Sequence, residues 1–468
     1  MPTGTRTKET TAATSLLVVL YLALGPTWRA LPGVPLGFPP ALFIDAFTIF
    51  YLAICAMRIS NIRRPNPSQE ARASQERLLI FLAVAFFIIQ FLMILRGPGS
   101  ITIVAKTRLA TSFMTSFALL SMIFYIQNAK NGLERAVSLF LISLPIYLAI
   151  NIALWALRLD AGSSLSGAII YNVNTTLQLF GIYQARLSVL PSITSPNSIG
   201  AIAGISIVAS IHYLQSHRRS LFAWALLGCG LYASIMSETR LSILATLICV
   251  ALYLTSSRKT LYFVSTTLLL GGAFVSIFMP AIVSLLDSIG IGDIAVRDSS
   301  LGVATGRQFI WIAATQNIVS PDLILGYGYF GQVTSGLVND FLFVFGEQNL
   351  TPSLHNTYLQ YIYDSGYIGF ILYVSLFFVT LRILKTADII SDQLIRSIFA
   401  CLLFILIMSF GEVVGTVYHP EIFYFLGGVL GLSVVLAKFR MKQAPSPVRE
   451  RPVSARHEMR LPPLGHRS

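Results

Sequence analysis

The stretch HNTYLQYIYDSGYIGF, residues 355–370, places a histidine immediately before a long apolar run. An imidazole titrates near neutrality, and in its neutral form it can take a proton from a hydroxyl and serve as a general base. The other residues of chemical interest are arginines: Arg240 in IMSETRLSILATL, Arg307 in GRQFIWIAATQNIVSPDLILGYGYFGQ and Arg186 in ARLSVLPSITSPNS. Guanidinium groups grip phosphate through two parallel N–H bonds. Arginines gathered around His355 would therefore make a phosphate-handling site with a base beside it, and fixed cations nearby would favour the neutral ring. Whether they gather depends on which elements carry them.

Those elements are membrane helices. The chain of 468 residues is 55% hydrophobic and only 11% charged, with a mean hydropathy of +0.72, which excludes an ordinary soluble globular protein. Apolar runs long enough to cross about 30 Å of hydrocarbon recur at roughly 15–31, 40–57, 78–95, 109–127, 136–157, 198–214, 220–236, 240–256, 260–281, 357–381, 397–417 and 421–437. The expected fold is an all-α polytopic transmembrane bundle of about 12 helices over residues 1–437, with a large outward loop containing short helices. The first run follows Arg6 and Lys8 without a clear cleavage site and reads as an anchor. Cys55, Cys229, Cys249 and Cys401 lie inside apolar runs without a CxxC pair, which supports neither a disulfide framework nor a zinc site.

Lys and Arg cluster in cytoplasmic loops near helix ends. With both termini inside, alternation places most basic residues on one side, from Arg58–Arg77 to the tail after Leu436. This explains the net charge of +13 without nucleic acid. Residues 438–468 are rich in Arg and Pro and read as a disordered basic cytoplasmic tail. Outward loops are expected at 158–197 and 282–356; the first is kept out of the bilayer because Asn172, Asn174, Thr175, Thr176 and Gln178 suit an interfacial or re-entrant segment better.

Nine basic residues then lie outside: Arg29, Arg96, Lys106, Arg108, Arg158, Arg186, Arg240, Arg297 and Arg307. Cations against the orientation rule need another reason for their position, and an anion at the membrane surface, a phosphate, supplies one. Arg240 sits between two helices joined by almost no loop, at the membrane boundary; it could snorkel, pair with Glu238, or bind such an anion. Arg307 and Trp311 are four apart and share one face of a short helix, ended by Pro321, Gly326 and Gly328. His355 and Asn356 begin the tenth run, with Ser353 or His355 near the cap position.

In these residues the chain resembles the O-antigen ligase and polymerase-related membrane proteins, glycosyltransferases of the GT-C type. The resemblance covers about residues 183–435. It is carried by His355, Asn356, Leu359, Gly366 and Gly369 in HNTYLQYIYDSGYIGF, by Arg307, Trp311 and the Pro321–Gly328 segment, by SETRLS around Arg240, and by Arg186 with Pro196 and Asn197; Ser188 and Ser320 stand where family members often have glycine and histidine. It implies inverting transfer of a glycan from an undecaprenyl pyrophosphate carrier to a lipid or glycan acceptor hydroxyl, as in lipopolysaccharide and polysaccharide biosynthesis, at the periplasmic face of the bacterial inner membrane, without metal or other cofactor. In that reading His355, Arg240 and Arg307 are catalytic; Arg186, Arg240, Arg307 and Lys106 bind pyrophosphate; Asn356 and Trp311 support them. The competing expectation is a transporter of a lipid-linked oligosaccharide, which would place charges in mid-helix.

Overall fold

The computed structural model describes residues 67–97, 117, 130–157, 186–191, 193, 195–278, 307–341 and 353–443. Within them run the helices α1 (Pro67–Arg96), α2 (Lys130–Ala156), α3 (Pro196–Ser216), α4 (Leu221–Ser237), α5 (Arg240–Thr255), α6 (Arg258–Ile277), α7 (Arg307–Gln316), α8 (Gly331–Thr334), α9 (Val338–Phe341), α10 (Thr357–Lys385), α11 (Asp392–Met408) and α12 (Pro420–Gln443), with a 3-10 turn at Pro321–Ile324. The described residues contain no strand beyond an isolated bridge between Leu190 and Ile193. The all-helical expectation holds. Five stretches are long and apolar enough to cross a membrane, Ser74–Arg96, Gly132–Ala156, Pro196–Ser216, Arg258–Ile277 and Thr357–Lys385, and α4, α5 and Glu421–Ala437 of α12 are shorter apolar helices. The expected runs 15–31, 40–57 and 109–127 lie outside the described residues or touch them only at Phe117, so twelve crossings are not established.

Several boundaries differ from the sequence reading, with α1 beginning at Pro67 rather than 78 and α2 at Lys130 rather than 136. The run expected at 397–417 ends as a helix at Met408, and residues 409–419 form an irregular connector before α12. Gly415 in that connector has φ +70°, a conformation open mainly to glycine. The last helix also continues past 437 to Gln443, and residues 444–468 of the expected tail lie outside the described residues.

The helices α3, α11 and α12 form the interior, where α3 packs on α2, α4, α5 and α11. Small residues on α3 allow close approach: a Cβ on Gly204 would lie 2.2 Å from the ring of Phe404 on α11. On the periphery, α4, α5 and α6 expose Leu221, Trp224, Leu247, Phe263 and Phe274. Such a surface on so apolar a chain is the face a protein presents to lipid. The ends of these helices are charged unevenly. Arg218, Arg219, Arg258, Lys259, Arg382, Lys385 and Arg396 occupy one end, where Arg258 and Arg396 pair with Asp388 and Asp392; Arg186, Arg240, Arg307 and His355 belong to the other.

Helix α10 is broken at Gly366, whose φ of 72° and ψ of −178° are not helical. A break inside a bilayer leaves carbonyls without partners, which is costly unless protein supplies donors. The loop after the 3-10 turn supplies them: the N–H groups of Tyr327 and Gly328 donate to the carbonyls of Tyr363 and Asp364 at 2.7 and 2.9 Å, and that of Tyr329 donates to Met93 at the end of α1. The glycines read from sequence as turn-formers thus also permit contact. A Cβ on Gly326, itself at φ +70°, would meet the Gly366 nitrogen at 2.4 Å, and one on Gly331 would meet the Tyr363 carbonyl at 2.3 Å. Below the break, Asp364 accepts from Gly331 N–H, Gln360 Nε2 and Tyr418 O–H, each at 2.8 Å, tying loop, helix and connector together. Gly326→Ala and Gly366→Ala should each destabilise the protein by about 1–3 kcal/mol, read as a lower melting temperature in detergent; unchanged melting would contradict the docking of this loop into the broken helix.

Candidate functional site

His355 begins the site from an unusual backbone. Its φ of 48° lies in the left-handed region, a conformation that costs on the order of 1–3 kcal/mol and persists only where neighbours enforce it. They do so on both sides. Before it, the carbonyl of Leu354 accepts from Trp311 Nε1 at 3.0 Å and the Leu354 N–H donates to Gln360 Oε1 at 3.1 Å. After it, Asn356 is the N-cap of α10, accepting from Leu359 N–H at 3.0 Å, so the cap is neither Ser353 nor His355 as expected from sequence. The Asn356 amide donates to Ser276 at the end of α6 and to the Phe410 carbonyl. Thr357 N–H donates to the Ser409 carbonyl, and its hydroxyl oxygen accepts from Val414 N–H at 2.9 Å. Trp311 and Asn356, expected from sequence as supporting residues, make these contacts on either side of His355.

The arginines come from three other places. Arg240 opens α5 after a two-residue link, Glu238–Thr239, in which Glu238 closes α4 at φ 50°. Hydroxyls pin this corner to α3, with Thr239 donating to the Pro196 carbonyl at 3.0 Å and Ser242 to that of Gly200 at 2.5 Å. The Arg240 side chain itself is exposed, and among the described residues no hydrogen bond or ion pair holds it. Arg186 lies beside the same corner, its Nε donating to the Ser237 carbonyl at 2.6 Å. Burial lowers the pKa of this guanidinium; Glu238 and Glu412 work against that, while Arg240 and Arg307 add to it, so all four charged groups lie near enough to act on Arg186. It stays protonated, as arginine does in proteins. Arg307 opens α7, and the tyrosine hydroxyls of Tyr363 and Tyr367 hold the far end of that helix through the carbonyls of Ala314 and Ile318.

At the centre is a residue that the sequence reading passed over, Glu412. Its carboxylate is 4% exposed and accepts from Arg307 Nη2 at 2.5 Å and Asn197 Nδ2 at 2.8 Å, while His355 Nδ1 lies 3.2 Å away. Burial by itself would raise the Glu412 pKa, but the His355 and Arg307 contacts outweigh it and hold the carboxyl below its ordinary value. Arg307 also donates through Nη1 to the Gly411 carbonyl at 2.8 Å. Two of its five N–H groups are therefore spent on residues 411 and 412, and three remain. His419, at the end of the same connector, places Nδ1 2.6 Å from the Ser198 hydroxyl on α3. Burial lowers its pKa to about 4, so this second histidine is neutral at physiological pH.

The structure thus brings Arg186, Arg240, Arg307, His355, Asn356 and Trp311 to one end of the bundle. Lys106 lies outside the described residues. Three guanidinium groups face two carboxylates, Glu238 and Glu412, which leaves positive charge over for an anion. Glu412 and His419 were hidden because GEVVGTVYHP continues an apolar run; the glycines flanking an acid there, and the His-Pro pair after it, were the available signals.

One family model matches part of the chain. Residues 222–374 match the model of a family described as O-antigen ligase. The match includes Arg240, Arg307, Trp311, His355 and Asn356 and leaves out Arg186, Glu412 and His419. No curated protein matches the chain. Residues 222–374 are thus similar to the O-antigen ligase family, within a chain whose described helices include five long and apolar enough to cross a membrane.

Proposed function

We propose that the site transfers a glycan from an undecaprenyl pyrophosphate carrier to a hydroxyl of a lipid or glycan acceptor, at the periplasmic face of the bacterial inner membrane. The observation that carries this reading is the meeting of three guanidinium groups and an imidazole at the end of the bundle opposite the basic loops. The loops with many Lys and Arg mark the cytoplasmic side, so the site faces outward and both termini face inward.

The chemistry follows from the charges. His355 takes the proton of the acceptor hydroxyl while its oxygen attacks the anomeric carbon from the face opposite the carrier. The bond from that carbon to the pyrophosphate oxygen breaks, its electron pair leaves with the phosphate, and the configuration inverts. The negative charge growing on the departing oxygens is met by Arg240, by the remaining donors of Arg307 and by Arg186, groups whose positions are fixed before the reaction. These cations do the work that a divalent metal would do elsewhere, so the proposed reaction is metal-independent. Lys106 remains a proposed fourth contact to the pyrophosphate. Transport suits the geometry less well, because a carrier of an anionic lipid needs cations near the bilayer midplane, and here they sit at one end.

His355→Ala should abolish transfer without changing membrane insertion or expression, and in the host the finished chains should stay on the carrier; wild-type surface polysaccharide in this variant would end the base assignment. If instead the final surface lipid carries single repeats in place of long chains, the acceptor of this enzyme is another carrier-linked glycan and the enzyme is a polymerase. Arg240→Lys keeps the charge but loses the fork, and should lower kcat by about 10²-fold or more with unchanged melting, since the side chain is exposed; wild-type turnover in that variant would reduce Arg240 to an interfacial anchor.

A further inference from the structure

We propose that Glu412 is the positioning residue of the site, fixing His355 as the Nδ1–H tautomer and thereby making Nε2 the nitrogen that takes the acceptor proton. The connector that carries Glu412 lies beyond the matched residues 222–374, so the family match assigns it no part.

The argument is one of donors and acceptors. Glu412 is buried to 4% exposure, and both oxygens are engaged: Oε1 by Arg307, Oε2 by Asn197 and His355 Nδ1. An ionised carboxylate can only accept. The Arg307 guanidinium and the Asn197 amide are pure donors toward it, so nothing in this shell could share a proton with it except the imidazole. Nδ1 must then carry the hydrogen, and in a neutral ring the lone pair is left on Nε2. The opposite tautomer would set the Nδ1 lone pair against a buried anion. The charged and titratable groups facing Glu412 come from each packed element: Arg307 from α7, His355 before α10, Arg186 before α3 and the neutral His419 before α12.

A further observation separates positioning from mere packing. The connector is fastened from several sides: Val414 N–H to Thr357, Tyr418 to Asp364, and Tyr361 O–H to the Gly415 carbonyl. These bonds hold the backbone at 411–419 without the Glu412 side chain. The carboxylate therefore adds direction for three other side chains, Arg307, Asn197 and His355, and for the ring most of all.

Glu412→Gln keeps the shape and changes the hydrogen bonding, because its amide can donate to Nδ1. The tautomer follows from geometry alone; its effect on rate rests on the transfer reading above. The test uses the full chain in lipid vesicles with ¹⁵N-labelled histidine, the His355 signals among the six histidines being identified by their loss in His355→Gln. In the wild type, Nδ1 should be the protonated nitrogen. In Glu412→Gln the population should move toward Nε2–H, with kcat lowered about 10²–10⁴-fold, the size associated with losing a correctly oriented base, and the donor KM roughly unchanged. Glu412→Asp, which keeps an acceptor-only group, should retain the native tautomer and recover part of the rate. A His355 tautomer that is Nε2–H in the wild type, or unchanged by Glu412→Gln, would overturn the proposal. Should Glu412→Gln fail to fold, Glu412→Asp decides: the native tautomer supports positioning, a redistributed one overturns it. A tautomer that moves as expected in a protein without transferase activity would support the positioning role and overturn the reaction instead.

Discussion

A buried carboxylate held between a guanidinium and an imidazole is the interaction on which this site depends. Breaking such a pair by removing one partner costs roughly 3–5 kcal/mol because a charge is left without its counterion in a poor solvent. Glu412, Arg307 and His355 therefore fix one another, and they come from three separate stretches of chain. The Asn197 amide joins a fourth. A cluster assembled this way is rigid for the same reason that it is costly to disturb, and rigidity is what a site needs if its charges are to stabilise a departing pyrophosphate without rearranging.

The rest of the described structure serves that cluster. Breaking α10 at Gly366 leaves Tyr363 and Asp364 carbonyls to be satisfied, and the loop at 326–331 that satisfies them is the continuation of the segment begun by Arg307. The helix that His355 heads is thus tied to the element that carries Arg307 through backbone bonds below the site as well as through Trp311 within it. The tight corner at Glu238–Thr239 does the same for Arg240, whose neighbours are stitched to α3 by hydroxyl groups. Each cation is placed by the end of a helix, where a short polar stretch meets the membrane surface.

Much of this was legible in the sequence, and for definite reasons. Apolar runs with polar punctuation gave α3, α4, α5, α6 and α10 close to their observed limits, since hydrocarbon thickness and helical rise leave little freedom. Cations on the wrong side of the charge rule pointed to Arg186, Arg240 and Arg307, and the position before a membrane helix pointed to His355, the residue proposed as base. What remained hidden had no periodic signature. Glu412 lies among valines that continue the apolar pattern of α11, so the irregular connector looked like helix. The break at Gly366 is likewise silent, because DSGYIG reads as a helix until a second segment is known to fill the gap. The reading of arginines around His355 also left out the carboxylate from a distant connector that faces the ring.

The most direct measurement is a structure of the full chain in lipid with an undecaprenyl pyrophosphate ligand bound. The account predicts phosphate oxygens within hydrogen-bond distance, about 2.7–3.2 Å, of the guanidinium groups of Arg240 and Arg307, with Arg186 beside them and the sugar-bearing oxygen turned toward His355. A pyrophosphate bound at the opposite end, among Arg258, Lys259 and Arg396, or one that leaves all three of these arginines uncontacted, would contradict it.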